Sequence, residues 1–227
     1  MSLTGLYSSN NIQSDFQSKK LLEILLDDQI FPIKKKHIVF GKSDKIVLTD
    51  GNNSSSIYVY AVEKGMGALI LESNIIDFIG EDGFIGLHHS NFMNDSKLHA
   101  ESLTGELVTW RFELQDVLAK IINMQEGYLY HYNYMRETYE RYTMKLRAIG
   151  EDNDGKVAML LYSIASWFGI EAEEKDFVEL PKIFTRKVLA NYMGISHTTL
   201  STVIRELARQ GEVISKSQRL LVRVKKR

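Results

Sequence analysis

Hydrophobic and polar positions change period several times along this chain. Phe16, Lys20, Leu21, Ile24 and Leu25 keep a near-helical spacing until Asp27-Asp28 and Pro32 stop it, which predicts a short helix after a polar, Ser/Asn-rich start over residues 1–14. From Ile33 to Trp110 the runs shorten and become β-rich: His37–Phe40, Lys45–Leu48, Ile57–Val62, Gly67–Leu71 and Leu107–Trp110. Turn signals at Asp50-Gly51-Asn52, Lys64-Gly65 and Asp82-Gly83 separate them at a spacing that predicts a small β-barrel, with the serine-rich stretch Asp50–Ser56 as a loop tip. Leu114–Ile122 then returns to the helical period.

The next stretch carries a longer regularity. Tyr128, Tyr132, Met135, Tyr139, Tyr142, Leu146 and Ile149 alternate steps of four and three, a heptad stripe. Such a seam packs either on its own β domain or on a second copy; its continuous length, about 30 Å at 1.5 Å per residue, favours self-association. These seven are the candidate dimerisation residues. Four of them are tyrosines whose hydroxyls need partners, which suits helices that shift or admit a ligand. Glu151–Gly155 breaks the helix and is the expected hinge. Val157, Leu160, Leu161, Ile164, Ala165 and Phe168 then predict a core helix ending at Gly169, followed by an acidic loop over Glu171–Asp176.

The last periodic stretch reads as a helix-turn-helix. Val188, Leu189 and Tyr192 recur at the 3.6-residue period behind a Thr185 cap, and Gly194 supplies the turn. Ser196 caps a second helix whose Leu200, Val203, Ile204 and Leu207 share one face, so His197, Thr198, Ser201, Thr202 and Arg205 point outward. An ordinary helical hairpin would show the same period. Short hydroxyls and a histidine, however, sit flush against DNA, where they meet phosphates or base edges. Gln210-Gly211 ends the helix, and Glu212–Ser215 and Arg219–Val224 alternate around Lys216-Ser217-Gln218 like a two-stranded wing.

Composition narrows the function. With 227 residues and 44% hydrophobic content the chain has room for two folded domains. No apolar run approaches the roughly 20 residues a membrane span needs, so a cytoplasmic protein is expected. Zero cysteines exclude disulfides, thiolate zinc sites and cysteine-ligated iron-sulfur clusters. The net charge of -1 conceals an asymmetry: Lys182–Arg227 holds 11 basic against two acidic side chains, a net of +9, which leaves -10 for the rest. A basic block can be a solvated tail, but one that coincides with a helix-turn-helix and a wing suits a polyanion, with phosphate neutralisation supplying most of the affinity.

The order of β domain, long helix, hinge and winged helix-turn-helix resembles the Crp/Fnr family of bacterial transcription regulators across nearly the whole chain. Its most specific residues are Leu189-Ala190-x-x-Met193-Gly194-Ile195-Ser196, then Thr199-Leu200-Ser201-x-Val203-Ile204-Arg205-x-Leu207 and Gly211. The β domain matches more weakly, through Lys35-Lys36-His37-Ile38-Val39-Phe40, Gly80 and Phe84-Ile85-Gly86-Leu87. The resemblance implies an α+β fold: a cyclic-nucleotide-binding-like β-roll (jelly-roll barrel) over residues 1–113, a connector and dimerisation helix over 114–150, and a DNA-binding domain over 151–227. It further implies a homodimer on a near-palindromic operator in double-stranded DNA, with RNA polymerase as a further partner. Ser196, His197, Thr198, Ser201, Thr202 and Arg205 are then the groove contacts, and Thr185, Arg186, Lys187, Lys216 and Arg219 position the DNA backbone.

Two departures modify those expectations. Cyclic-AMP-binding members carry a Gly-Glu-Leu segment for the ribose and a later Arg-Ser or Arg-Thr for the phosphate. Here Gly86 is followed by Leu87, and Ser96-Lys97-Leu98-His99-Ala100 contains no arginine. A buried cyclic phosphate requires a paired cation, so cyclic AMP is not expected to bind in the usual way. An unidentified small-molecule effector would have Phe84, Gly86, Leu87, Lys97, His99 and Tyr132 as its candidate pocket. In the recognition helix His197, Thr198 and Thr202 stand where many members have arginine, glutamate and arginine, which predicts a different operator.

Other chemistry finds little support. His88, His89 and His99 with Glu101 suggest a cupin-like metal site, but His-x-His is absent and adjacent strand histidines face opposite ways, so no metal is expected. Asp77, Glu81 and Asp82 read as an acid-rich turn. There is no P-loop, nucleophile elbow or dinucleotide fingerprint, hence no expected enzyme activity or cofactor. The alternative from another class is a β-barrel small-molecule binder or enzyme whose C-terminal domain mediates protein contacts.

Overall fold

A computed structural model describes residues 18–29, 31–49, 57–87, 98–124, 127–216 and 219–224. The expectations for residues 1–14, Phe16, Asp50–Ser56, His88, His89, Lys97 and the Ser217-Gln218 turn lie outside them. The described residues form six helices and 12 strands, an α+β arrangement in two compact units, Met1–Tyr139 and Glu140–Arg227.

The first unit opens with α1 (Ser18–Leu26) and continues through β1 (Lys35–Gly41), β2 (Lys45–Ile46), β3 (Tyr58–Lys64), β4 (Gly67–Leu71), β5 (Asn74–Ile79), β6 (Phe84–Ile85), β7 (Leu98–Ser102) and β8 (Glu106–Glu113). Two helices follow, α2 (Leu114–Ile122) and α3 (Gly127–Ile149). The strands make two antiparallel four-stranded sheets, ordered β1-β8-β3-β6 and β2-β7-β4-β5. The expected barrel therefore does not close.

Alternation along β3 separates two cores. Tyr58, Tyr60 and Val62 join Ile46, Leu69, Ile85 and Leu107 in one core, whereas Val59 and Ala61 join Phe84 and Phe112 in a second. That second core is completed by Leu21 and Leu25 of α1, Val117 and Ile121 of α2, and Tyr134 of α3. A sheet with a second sheet on one face and helices on the other buries both faces of its central strand. Two lysines fasten α1 in place: Lys35 donates to the Leu26 carbonyl at 2.7 Å, and the fully buried Lys120 donates to that of Asp27. Both cations sit at the negative end of the helix dipole.

β5, β6 and β7 lie outside the five β-rich runs predicted from the sequence, although β5 holds the β-prone Ile75, Ile76, Phe78 and Ile79. Asp77 belongs to β5, not to the acid turn; it is buried and accepts the Phe78 N–H at 2.9 Å. In β7 the buried positions are Ala100 and Ser102, too small and polar to read as a core strand.

The second unit begins within α3 and continues with α4 (Asn153–Phe168), β9 (Ile170–Glu171), β10 (Phe177–Glu179), α5 (Arg186–Met193), α6 (His197–Arg209), β11 (Val213–Lys216) and β12 (Arg219–Arg223). Asp152 caps α4 by accepting the Gly155 N–H at 2.8 Å. Val157, Leu160, Leu161, Ile164 and Ala165 are buried as the period predicts, and the half-buried Phe168 lies 5.8 Å from the Phe184 ring. The wing is wider than expected. β9 and β10 extend it to a four-stranded sheet ordered β11-β12-β10-β9, so the acidic loop is flanked by strands.

Candidate nucleic-acid interface

Each turn of the helix-turn-helix is fixed by a local device that the sequence announced. Thr185 accepts the Val188 N–H at 3.3 Å to start α5, and Ser196 accepts the Thr199 N–H at 3.0 Å to start α6. Between them Gly194 adopts φ +65°, the left-handed conformation that closes a helix, while the Ile195 N–H reaches back to the Ala190 carbonyl at 3.1 Å. Gly211 repeats the device after α6, with the Glu212 N–H on the Leu207 carbonyl at 3.0 Å.

α6 has two distinct faces. Leu200, Val203, Ile204 and Leu207 are buried; His197, Thr198, Thr202 and Arg205 are exposed, and Ser201 is half-buried between them. Tyr192 of α5 is buried beneath the Lys145 ammonium, which lies 4.2 Å from its ring centre, so the last turns of α3 are joined directly to the helix-turn-helix.

The cations expected on the DNA backbone differ in what they touch. Lys187 and Lys216 are exposed. Arg219 donates through Nε to Glu179 at 2.9 Å, and its guanidinium lies 2.7 Å from Glu179 and 3.8 Å from Glu174. That carboxylate holds Arg219 above its ordinary pKa, and the bond in turn holds Glu179 below its own. Arg186 reaches the wing instead, where Nη2 donates to Ser215 Oγ at 3.0 Å. The acids that occupy Arg219 sit in β10 and the loop before it, which the sequence reading left out of the wing; no local signal links them to Arg219.

α3 presents the heptad positions as follows. Tyr128, Tyr132, Tyr139, Leu146 and Ile149 are 54%, 46%, 71%, 69% and 62% exposed, Tyr142 is half-buried, and Met135 packs partly against the core of the first unit. The opposite side holds buried Leu129, Asn133, Tyr134 and Thr138.

Of the candidate effector residues, Phe84, Gly86 and Leu87 are all buried, and Phe84 and Leu87 belong to the helix-covered core. His99 is half-buried on β7, opposite Ile70. Tyr132 is not packed with them. Tyr134 is: its hydroxyl donates to the Phe84 carbonyl at 2.6 Å and accepts the Phe84 N–H at 3.2 Å, with the rings edge-on at 5.2 Å. Among the described residues no group of three His, Cys, Asp or Glu is placed to hold a metal.

Solved structures with the same arrangement include transcriptional regulators. The fold is that of the Crp/Fnr regulators. A cyclic nucleotide-binding domain protein from Listeria monocytogenes superposes with a TM-score of 0.74 at 19% identity, over 91% of this chain and 95% of its own. FixK2 from Bradyrhizobium japonicum gives 0.65 at 15% identity over 85% and 94%. A Crp/Fnr-family transcriptional regulator from Thermus thermophilus gives 0.54 at 20% identity over 82% and 93%. No protein-family profile matches the chain, and no curated protein matches it. No helix among the described residues is long and apolar enough to cross a membrane.

Proposed function

We propose that this chain is a sequence-specific DNA-binding transcription regulator of the Crp/Fnr type, acting as a homodimer on a near-palindromic operator and not responding to cyclic AMP in the usual way. The observation that carries the proposal is α6, a helix anchored by four buried aliphatic side chains and capped at its start, whose outward face is short, polar and exposed beside a wing. Such a helix enters a major groove, with residues of its first turns at the base edges. His197, Thr198, Ser201 and Thr202 are the proposed readers, with Ser196 at the cap; Lys187, Lys216 and Thr185 flank them on the backbone side.

The exposed seam of α3 supports the dimer, since two copies would cover Tyr128, Tyr132, Tyr139, Leu146 and Ile149 together. Two recognition helices would then meet successive major grooves about 34 Å apart. Leu87 supports the departure from cyclic AMP: its side chain is turned into the core, where it offers nothing to a ribose hydroxyl.

Selection of bound fragments from genomic DNA, followed by gel shift of the selected duplex against a scrambled one, tests the reading. A two-fold-related sequence bound in preference to the scramble, and lost in His197→Ala with Thr202→Ala, is expected. Equal affinity for every duplex would refute it.

A further inference from the structure

A pocket of the second unit opens at the base of the wing, where α4, the last turn of α6 and the β11–β12 pair meet. Its floor is aliphatic: Leu161 of α4, Leu207 of α6, and Val213 and Val222, which pair across the two strands, are all buried. It encloses about 300 Å³, the lower end of the range for small-ligand sites and room for one small molecule. Aliphatic walls around open space leave dispersion contacts unmade, and an apolar group entering there gains them.

The mouth of the pocket is charged. Glu212 and Arg223 stand together on it, tied through the backbone, where the Arg223 N–H donates to the Glu212 carbonyl at 2.9 Å. Their side chains do not complete the contact. The carboxylate and guanidinium are 3.8 Å apart and nearly half exposed, and neither makes a side-chain hydrogen bond among the described residues. Arg223 also lies against the Phe177 ring, 5.2 Å from its centre, which orients the guanidinium without using its N–H donors. An exposed ion pair at this distance adds little to stability, so parting the two charges costs little.

Opposite charges over an aliphatic floor select a ligand. A simple anion on Arg223 meets Glu212, a simple cation on Glu212 meets Arg223, and an uncharged apolar molecule leaves both unused. A free α-amino acid carries its carboxylate, ammonium and side chain on one carbon, and so meets all three features at once. We propose that this pocket binds a free α-amino acid with an apolar side chain. Its carboxylate accepts from the Arg223 guanidinium, its ammonium donates to Glu212, and both bonds are charge-assisted. The side chain lies over Leu161, Leu207, Val213 and Val222. Such a ligand joins the end of α6 to the base of the wing and stabilises the unit that presents α6. Leu207 is about 15 Å along the helix from His197 at 1.5 Å per residue, so the outward face of the first turns stays free.

The test is calorimetric titration of the full chain with L-leucine and L-phenylalanine, followed by glycine and by the amide and the desamino acid of the one that binds. At least one of the two should saturate in the millimolar range or tighter. Each analogue lacks the carboxylate, the ammonium or the side chain, and should bind roughly tenfold or more weakly. Arg223→Met and Glu212→Gln should weaken the parent by a similar factor, and Ala158→Leu, which fills the pocket from α4, should abolish binding. Hydrogen exchange locates the ligand. The Glu212 and Arg223 amides, bonded to the Leu207 and Glu212 carbonyls, should exchange about tenfold more slowly at ten times the dissociation constant, with the Phe84 amide unchanged. A flat titration with both amino acids overturns the site, as does an amide or desamino acid that binds as tightly as its parent. A parent that binds without slowing those two amides overturns the location. These measurements use the unaltered protein, so a variant that fails to fold decides nothing, and they are made without DNA, so the DNA-binding reading stands or falls separately.

Discussion

Replacing Tyr134 with phenylalanine isolates the hydroxyl through which α3 bonds the backbone of the β-roll. Ala61 faces Phe84 across β3 and β6, and the Val62 N–H bonds the Gly83 carbonyl at 2.9 Å. In an antiparallel ladder this makes Ala61 and Phe84 a non-hydrogen-bonded pair, so both backbone groups of Phe84 point away from β3, toward the open edge of the sheet. The Tyr134 hydroxyl supplies both missing partners, donating to the carbonyl at 2.6 Å and accepting the N–H at 3.2 Å. Phenylalanine keeps the ring contact, so the change removes hydrogen bonds and almost no buried area. Each unsatisfied buried backbone group costs about 1–3 kcal/mol, and the longer bond belongs at the low end, which gives about 2–4 kcal/mol in all. Native-state hydrogen exchange at the Phe84 amide reads this directly, as the free energy of opening in the full chain. A decrease below about 0.5 kcal/mol, the size of an ordinary surface change, would refute the argument that the hydroxyl stands in for a strand.

Three further outcomes follow from local geometry. Gly86→Ala should destabilise more than Gly194→Ala in thermal unfolding. Both have positive φ, but a Cβ at Gly86 would lie 2.5 Å from the Tyr58 carbonyl oxygen, whereas at Gly194 it meets nothing within 4 Å, leaving about 1 kcal/mol of backbone cost. Ser196→Ala should lower the stability of the second unit by about 1 kcal/mol through loss of the cap, measured by exchange at the Thr199 amide, with Ser196→Gly losing less. The Glu179 carboxyl is held below its ordinary value by Arg219, so its contribution to the wing is complete above the unfolded carboxyl's pKa and disappears as pH falls through the lowered one. Exchange of β10 amides should accelerate over that acidic window in the wild type and lose the dependence in Arg219→Gln.

Where the sequence was legible, a local rule sufficed. Thr185, Gly194, Ser196 and Gly211 each act within a few residues of themselves, and the apolar face of α6 follows from a period that no distant contact overrides. The illegible parts depend on partners remote in the chain. β7 is a strand because β4 and β2 flank it, not because Leu98–Ser102 prefers to be one. Arg219 looked like a free cation because the acid that holds it lies 40 residues earlier. Tyr134 was passed over for Tyr132 because the heptad count selects the outward side of α3, and nothing local marks the tyrosine that a sheet edge will need. The second core was hidden for a related reason: spacing predicts strands, but the positions of α1, α2 and Tyr134 give β3 a core on each side.

α3 carries aromatic and aliphatic residues on both sides, and this bears on the proposed dimer. Its buried side is partly polar, and the Asn133 amide there is paired: it donates to Glu137 at 3.0 Å and accepts from Arg136 at 2.7 Å. Both partners lie on α3 itself, within one turn, and they offset the cost of burying that amide. Its wet side carries Tyr128, Tyr132, Tyr139, Leu146 and Ile149. In the proposed dimer a second copy covers the exposed stripe, and the stabilisation gained there would depend on protein concentration by mass action. Tyr139→Glu with Leu146→Glu places charge on that stripe while sparing every bond of the buried side. Sedimentation velocity should then show a single subunit whose hydrogen exchange at Tyr134 and Asn133 is unchanged. Loss of protection at those amides would mean that the stripe supports its own chain, and the dimer would lose its physical basis.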